Sequence, residues 1–333
     1  MTNSNIAINE ESLLEAARKY APMLKSLPMT VLQDTLQYVT VISGVQGDYV
    51  MGQLQAKGSW ASYRKNAAAN NTININARTL QTKLLSLEMQ FDPNLVAGKL
   101  YNQSPNIGEG LASLPITAQI LAQVLLEASD EMNQNIFSAA YNASAGTTPA
   151  TAFDGWDTIA AAEVTDGTIA DAKGNFIDAS SNQLTESNTF DFINYCWLMA
   201  NEKLKKSTET VCFYVSPNVA AYYNAGYLDN VGNVVYNKQY NQPEVLGSNG
   251  KAIIVPMASK AGSNYIQLTT KSNMIFGTSN AKDMDSLNVK VPGLFDVLLG
   301  GTMWAGCQYE FIEAEKFMLI KHGGIAAPTN PFA

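Results

Sequence analysis

The chain has 333 residues, more than one hydrophobic core usually serves, so we expect two or more subdomains. Hydrophobic residues make up 46% of it, which excludes a chain that is disordered throughout. The net charge of −8 argues against a dedicated nucleic-acid-binding protein, because such proteins usually carry a basic surface.

Charged residues are scarce, at 15% of the chain, and 31 asparagines supply part of the polar surface instead. The centres of protein–protein interfaces are depleted of charge in a similar way. Composition alone leaves two interpretations open: a surface that binds other subunits, or a neutral, asparagine-rich surface with no partner.

The three cysteines, Cys196, Cys212 and Cys307, are far apart and odd in number. We predict that they are reduced core residues and form neither a disulfide framework nor a metal site. No basic stretch followed by an apolar one opens the chain, and no run approaches the roughly 18 apolar residues of a membrane span. We therefore expect no membrane contact and folding in a cytoplasm.

The first predicted elements are a short helix and a β-rich segment. Apolar spacing predicts a helix from Ser12 to Ala21, with Ser12 as its N-cap. Pro22 and Pro28 are expected to break up the chain that follows. Residues Gln37 to Leu54 contain β-branched residues and a Gly-x-x-Gly-Asp turn, which is typical of strands.

Residues 51–90 are predicted to form an extended hairpin. Its middle, Asn66 to Ala77, is mostly alanine and asparagine and buries too little apolar surface to order itself. Flanking strands such as Thr79 to Leu87 can pair into an arm of up to roughly 60 Å, but an isolated two-stranded hairpin is only marginally stable in water. We therefore predict an arm that lies on another subunit; the alternative is a mobile loop.

The strongest helix pattern runs from Leu111 to Asn142, with apolar residues at steps of three and four. Ser113 is predicted to cap this helix, and Pro115 is compatible with its first turn. From Leu114 to Tyr141 the helix would extend about 42 Å. Residues 142–157, which are punctuated by glycine and proline, are predicted to link it to a second domain.

The second half is predicted to combine two helices with buried strands. One helix is capped by Thr189 and buries Ile193, Cys196, Trp197, Ala200 and Leu204. Another opens at Ser216-Pro217 and runs through Tyr223. Polar loops are expected at 163–188 and 224–251. The predicted strands are 211–215, 252–255, 265–270, 274–277, 287–291, 296–311 and 316–321, followed by a loosely held tail at 323–333.

No arrangement of residues indicates catalysis. His322 is the one histidine, and we expect it at the surface without a catalytic role. The sequence lacks the patterns of a nucleophile elbow, a phosphate-binding glycine loop and an EF-hand. Asp130 and Glu131 are expected on a solvated helix face. We therefore predict a protein that is not an enzyme and holds no cofactor or metal.

The candidate contacts between subunits are Trp60, Tyr63, Arg64, Lys65 and Arg78, all within the predicted hairpin. The first four interleave aromatic side chains with cations, a pattern that also occurs in proteins that bind single-stranded nucleic acid. The acidic chain as a whole favours a subunit interface, whose hot spots are rich in Trp, Tyr and Arg.

Several segments of the chain follow one another in a familiar order. After the hairpin come the strand ARTLQTKLL, a long helix closing in IFSAAYNASAG, the helix TFDFINYCWLMANEKLKK, the segment VCFYVSPNVAAYYNAG and the closing strand DVLLGGTMWAGCQYEFIEAEKFMLIK. In order and spacing, over nearly the whole chain, these segments resemble the major capsid proteins of tailed double-stranded DNA phages.

The resemblance implies an α+β fold, the tailed-phage major capsid fold. Its implied parts are an N-terminal arm (1–50), an extended hairpin or E-loop (51–90), a peripheral domain (91–150) with a spine helix at 114–141, an axial domain (151–261), and closing strands with a C-terminal tail (262–333).

The function implied by the resemblance is structural. The subunit would assemble with itself into hexamers and pentamers of an icosahedral shell, the virion capsid, around double-stranded DNA that it does not read by sequence. Implied partners are a portal and a separate scaffolding protein, and assembly would take place in the host cytoplasm. The alternative is the shell of an encapsulin-like nanocompartment.

Overall fold

The structure is a computed structural model that describes residues 10–57, 72–91, 116–144, 148–237, 242–290 and 297–327. The helices among these residues are α1 (Glu10–Lys19), α2 (Ala21–Leu36), α3 (Ile116–Asn135), α4 (Trp156–Thr165), α5 (Thr189–Met199), α6 (Glu202–Lys205) and α7 (Pro217–Val231).

The strands are β1 (Thr40–Ser43), β2 (Asp48–Lys57), β3 (Thr72–Gln81), β4 (Lys83–Phe91), β5 (Phe176–Ala179), β6 (Val211–Val215), β7 (Ala252–Pro256), β8 (Tyr265–Thr270), β9 (Met274–Thr278), β10 (Ser286–Lys290), β11 (Val297–Tyr309) and β12 (Phe317–His322). Short 3-10 helices lie at Pro149–Thr151, Asp171–Lys173, Ala258–Lys260 and Lys271–Asn273.

The first sheet is organised around the long strand β11. Residues 297–305 of β11 pair with β4 and residues 306–309 with β9, both antiparallel, while β10 pairs along its opposite side. Strand β1 adds to β9 in parallel. Among the described strands, β4 has a partner on one side only, so its other edge is open.

The second sheet has the order β5-β12-β8-β6-β7, with β5 parallel to β12 and β6 parallel to β7. Its two faces contribute to different cores. In β6, Cys212 and Tyr214 pack into the core that includes α2 and α3, whereas Phe213 packs with α5 and α7. Burial on both faces explains why the run VCFYV is apolar throughout and does not alternate.

Helix α2 continues through Pro28, so the predicted interruption is wrong. Leu24, Leu27 and Leu32 of this helix are buried, and α2 packs along α3. Each buried leucine contributes about 1.5–3 kcal/mol, which together exceeds the cost of about 3 kcal/mol for an internal proline. Helix α1 begins at Glu10, so Ser12 lies inside it and is not its N-cap.

The predicted hairpin is present as an antiparallel ladder of β2 and β3, from the pair Asp48–Gln81 to the pair Lys57–Thr72. Residues 72–77 were expected to be unable to order themselves, yet they belong to β3, because β2 supplies a backbone partner for each of them. Residues 66–71 lie outside the described part. The predicted strand from Thr79 to Leu87 is divided at Thr82, and its second half belongs to β4.

Helix α3 ends at Asn135, six residues before the predicted end at Tyr141. The reason lies in the chain that follows it. Phe137 is fully buried, and its carbonyl accepts a hydrogen bond of 2.9 Å from the amide of Asp157. This hydrogen bond replaces the one that the Phe137 carbonyl would accept from the amide of Tyr141 if the helix continued. The predicted cap Ser113 and the start at Leu114 lie outside the described residues.

From α5 onward the chain follows the sequence expectations closely, whereas α4 was not predicted and β5 lies within the predicted loop 163–188. The five residues predicted to be buried on α5 and beyond it are all buried, and Ser216 caps α7 through the amide of Val219. The N-cap position of α5 is Asn188, one residue before the predicted Thr189, and its side chain makes no capping hydrogen bond. Helix α7 runs eight residues past Tyr223 into the predicted loop. The strands from β6 to β12 start and end within about two residues of their predicted bounds.

His322 is buried, at 2% exposure, so its expected surface position is wrong. It ends β12, and residues after it are held against the loop behind β5. The amide of Gly323 donates to the carbonyl of Asn182 at 2.8 Å, and Ala326 donates to Leu184 at 2.8 Å. The tail is therefore ordered through Ala327, beyond the point where the sequence predicted a loose end.

Candidate assembly surfaces

Four of the five predicted contact residues, Trp60, Tyr63, Arg64 and Lys65, lie outside the described residues. The fifth, Arg78, is in β3, where its side chain is only 14% exposed. That exposure places Arg78 at the foot of the hairpin, against its own subunit.

The guanidinium of Arg78 fastens the hairpin to two other elements. Its Nε donates to the carbonyl of Tyr309 at 3.0 Å, and its terminal nitrogen donates to Glu163 at 2.6 Å and to the side chain of Gln308 at 3.0 Å. Hydrogen bonds between charged groups are about twice as strong as neutral ones. Arg78 thus has a structural role within the subunit, and its contact with a neighbour stays a prediction.

The foot of the hairpin is also held by a tight turn. Gly44 and Gly47 both have positive φ, which suits glycine, and Thr82 makes hydrogen bonds to both the amide and the carbonyl of Gly47. Gly306 allows β11 to pass here, because a Cβ on it would lie 2.3 Å from the carbonyl oxygen of Gln81. The hairpin therefore leaves the subunit at a fixed point.

A second surface is formed by the outer sides of α5 and α7. Their inner sides pack together through the rings of Phe190, Tyr223 and Tyr227. Their outer sides expose large apolar residues, with Leu198 on α5 exposed by 71%. The remaining members of this outer face are Tyr195, Met199, Leu228 and Val231. Clustered exposed apolar residues of this kind mark interaction sites on proteins.

A third surface is a groove of about 410 Å³ between β4 and α3. Its lining includes the apolar residues Leu85, Leu87 and Met132. It also includes the exposed residues Glu88, Glu127 and Glu131. We call this the acidic groove. Apolar concavities of this size commonly hold ligands or side chains of a partner.

A buried ion pair joins α4 to the turn at 258–260. Lys260 is fully buried, and its Nζ is 2.8 Å from Oδ1 of Asp157, in the first turn of α4. Gln267 accepts from Lys260 at 2.7 Å and donates to Asp157 at 2.5 Å, and Ser263 donates to the second Asp157 oxygen at 2.6 Å. The ammonium also lies 4.5 Å from the ring centre of Phe137.

Burial lowers the pKa of Lys260, while the neighbouring Asp157 carboxylate opposes this shift. The four polar groups of this network satisfy one another and connect α4, the turn at 258–260 and β8. No sequence signal predicted it, because the segment around Lys260 also contains Ser259, Gly262 and Ser263, as surface turns commonly do.

All three cysteines are buried and free, as predicted, and burial raises the pKa of Cys196 and of Cys212 to about 12. Within the described ranges, no cluster of three or more His, Cys, Asp and Glu residues could hold a metal ion. The described helices include none that is both long and apolar enough to cross a membrane.

No family model and no curated protein sequence matches the chain. Solved structures do match it. A chain of the satellite phage P4 procapsid, a particle that includes the size determination (Sid) protein, aligns with a TM-score of 0.50 and 10% identity, over 90% of this chain and 98% of that chain. The chain has the tailed-phage capsid fold. This confirms the predicted fold and its α+β class.

Two further structures align with lower scores. The capsid of the empty GTA particle gives a TM-score of 0.49 with 13% identity, over 87% of this chain and 90% of that chain. The holo-SrpI encapsulin complex from Synechococcus elongatus PCC 7942 gives 0.43 with 9% identity, over 86% of each chain.

Proposed function

We propose that this protein is the major structural subunit of a tailed-phage capsid, which assembles with itself into the icosahedral shell around double-stranded DNA. The observation that carries the proposal is the capsid fold itself, matched over 90% of the chain to the procapsid of satellite phage P4. The exposed apolar outer face of α5 and α7 supports it, because a subunit of a shell needs surfaces that are covered only on assembly.

The parts of the chain have distinct roles in this proposal. The axial domain, residues 151–261, carries the outer face of α5 and α7 and meets its copies at the centres of hexamers and pentamers. The peripheral domain, residues 91–150 with α3 as its spine helix, lies between such centres. Residues 51–90 reach across to the next subunit, and the arm (1–50) and the closing strands with the tail (262–333) complete the subunit.

The partners follow from the same role. The shell joins to a portal and is guided by a separate scaffolding protein in the host cytoplasm. It encloses DNA without reading its sequence, and an acidic chain with a net charge of −8 is suited to enclosing DNA without adhering to it. In this role the subunit holds no cofactor and catalyses no reaction.

Electron microscopy of the purified protein tests the proposal. We expect closed shells built of hexamers and pentamers, and light scattering that shows particles far larger than a 36 kDa subunit. Shells recovered from infected cells should contain double-stranded DNA. Small shells filled with an enzyme would instead indicate the encapsulin-like function. A protein that stays a 36 kDa species across concentration and salt, also when the scaffolding protein is present, would refute both.

A further inference from the structure

We propose that Asn249 is a site of spontaneous modification, at which the protein converts its own asparagine into a mixture of aspartate and isoaspartate. Asn249 is followed by Gly250, and this is the one Asn-Gly bond in the 333-residue sequence. The two residues lie in a turn between Val245 and strand β7. The reaction takes place within one chain, so it is independent of the proposed capsid function.

The reaction joins the side-chain amide of an asparagine to the backbone nitrogen of the next residue. The nitrogen of Gly250 attacks Cγ of Asn249 and loses its proton to water, the Cγ–Nδ2 bond breaks, and Nδ2 leaves as ammonia. The product is a succinimide ring. Water then opens the ring at either carbonyl carbon, which gives aspartate or isoaspartate, and no oxidant, metal or enzyme is needed. Glycine favours the attack because it has no Cβ to crowd the approach.

The structure leaves both reacting groups free. Asn249 is exposed, and neither its side chain nor the amide of Gly250 makes a hydrogen bond among the described residues. One hydrogen bond of 3.1 Å spans the pair, from the amide of Lys251 to the carbonyl of Ser248. Exposed turns with so few bonds open at little cost in free energy, so the Gly250 nitrogen can reach Cγ.

The backbone of the turn also explains why this pair occurs here. The φ angles of Asn249 and Gly250 are 54° and 76°, both in the left-handed region. Glycine adopts that region freely, and asparagine adopts it more readily than most other residues. Asn249→Gly therefore removes the reactive side chain without straining the turn.

Two Asp-Gly bonds show how the fold blocks the same chemistry elsewhere. An aspartate before glycine can close the same ring, more slowly, by losing water. The chain contains Asp154-Gly155 and Asp166-Gly167. In both, the glycine amide is occupied, because it donates to a backbone carbonyl at 2.8 Å and 3.1 Å respectively. The amide of Gly250 lacks this protection.

Conversion changes the turn in two ways. Both products carry a carboxylate where Asn249 had a neutral amide. A carboxylate oxygen of Glu244 already lies 3.5 Å from the position that a Cβ on Gly250 would occupy, and like charges this close repel each other. Isoaspartate also lengthens the backbone by one carbon atom, just before β7. We therefore expect a looser turn in modified copies, whose share rises with the age of the protein.

Peptide mapping by mass spectrometry of the purified full-length protein tests the proposal. After weeks in mildly alkaline buffer at physiological temperature, we expect the peptide that contains Asn249 to show the mass of the acid and to separate into aspartate and isoaspartate forms. Asn280 is the internal comparison, because it is also exposed but precedes alanine, and its side chain accepts from the amide of Lys282 at 3.0 Å. Asn280 should keep its amide.

Asn249→Gly should abolish the modification of this peptide and leave circular dichroism unchanged. An intact Asn249, under conditions that fully convert a synthetic peptide of residues 244–254, would overturn the proposal, because the folded turn would then protect the amide. Conversion of Asn280 as fast as Asn249 would also overturn it, because exposure alone would then decide the rate. These measurements need no assembled shell, so their outcome is separate from that of the proposed function.

Discussion

Replacing Lys260 by methionine measures how strongly the buried ion pair holds the subunit together. Lys260 is fully buried and the side chain of Asp157 is only 8% exposed, so Lys260→Met leaves a carboxylate in the interior without its counter-charge. Removing one partner of a buried pair costs about 3–5 kcal/mol. At about 2–4 °C per kcal/mol, the unfolding temperature should fall by roughly 6–20 °C.

The exposed pair of Lys203 and Glu315 provides the matched control. Its side chains are 68% and 50% exposed, so Lys203→Met should cost less than about 1 kcal/mol. A second comparison replaces Lys260, Asp157 and Gln267 together by apolar residues of similar size. That variant leaves no buried charge or orphaned amide at these three positions, so it should recover most of the lost stability.

Urea unfolding of dissociated subunits, followed by circular dichroism, gives the free energies. The reasoning is refuted if Lys260→Met is as mild as Lys203→Met, or if the triple variant is less stable than the single one. Either result would mean that the interior around Asp157 admits enough water to solvate a lone carboxylate.

Three further predictions concern assembly and pH. Trp60→Ala should cost about 2 kcal/mol per contact and abolish shells while circular dichroism is unchanged, and normal shells would exclude Trp60 as an anchor. Leu198→Glu, on the outer face of α5, should prevent shells but keep the free energy of unfolding within about 0.5 kcal/mol of the parent, whereas Asp191→Glu should leave both shells and stability unchanged. Burial lowers the pKa of His322 below its usual value. As the pH falls, His322 therefore takes up a proton in the unfolded chain before it does so in the folded one. The free energy of unfolding should be constant with respect to this group above about pH 6.5 and should decline below it. His322→Gln should flatten that decline in urea titrations at pH 5 to 8, and an unchanged slope would rule out His322 as its source.

The local sequence pattern correctly predicted those elements whose burial shows in their own residues. The run VCFYV is apolar at every position because both faces of β6 are covered, and the strand was predicted at its observed bounds. Helix α5 shows its buried side through spacing alone.

Prediction failed where a distant segment decides the outcome. Pro28 was predicted to interrupt a helix, but α2 continues through it because α3 packs along α2. Residues 72–77 were predicted not to order themselves, but they form part of β3 because β2 pairs with them. His322 ends a strand beside two glycines and Lys260 lies in a polar turn, and both are buried only by segments distant in the chain. Of the candidate assembly surfaces, the hairpin was predicted from composition, whereas the acidic groove forms only where β4 and α3 meet residues 301–303 of the distant strand β11.

The pairing of β4 with β11 has a consequence for synthesis of the protein. Lys83 pairs with Ala305, so the first sheet closes only after more than 200 further residues have been made. At about 5–20 residues per second, β4 waits roughly 10–40 s on the ribosome before its partner emerges. Pairings this distant make folding slow and expose unpaired strands to aggregation. A nascent chain therefore lacks a paired β4 until most of the protein has been made.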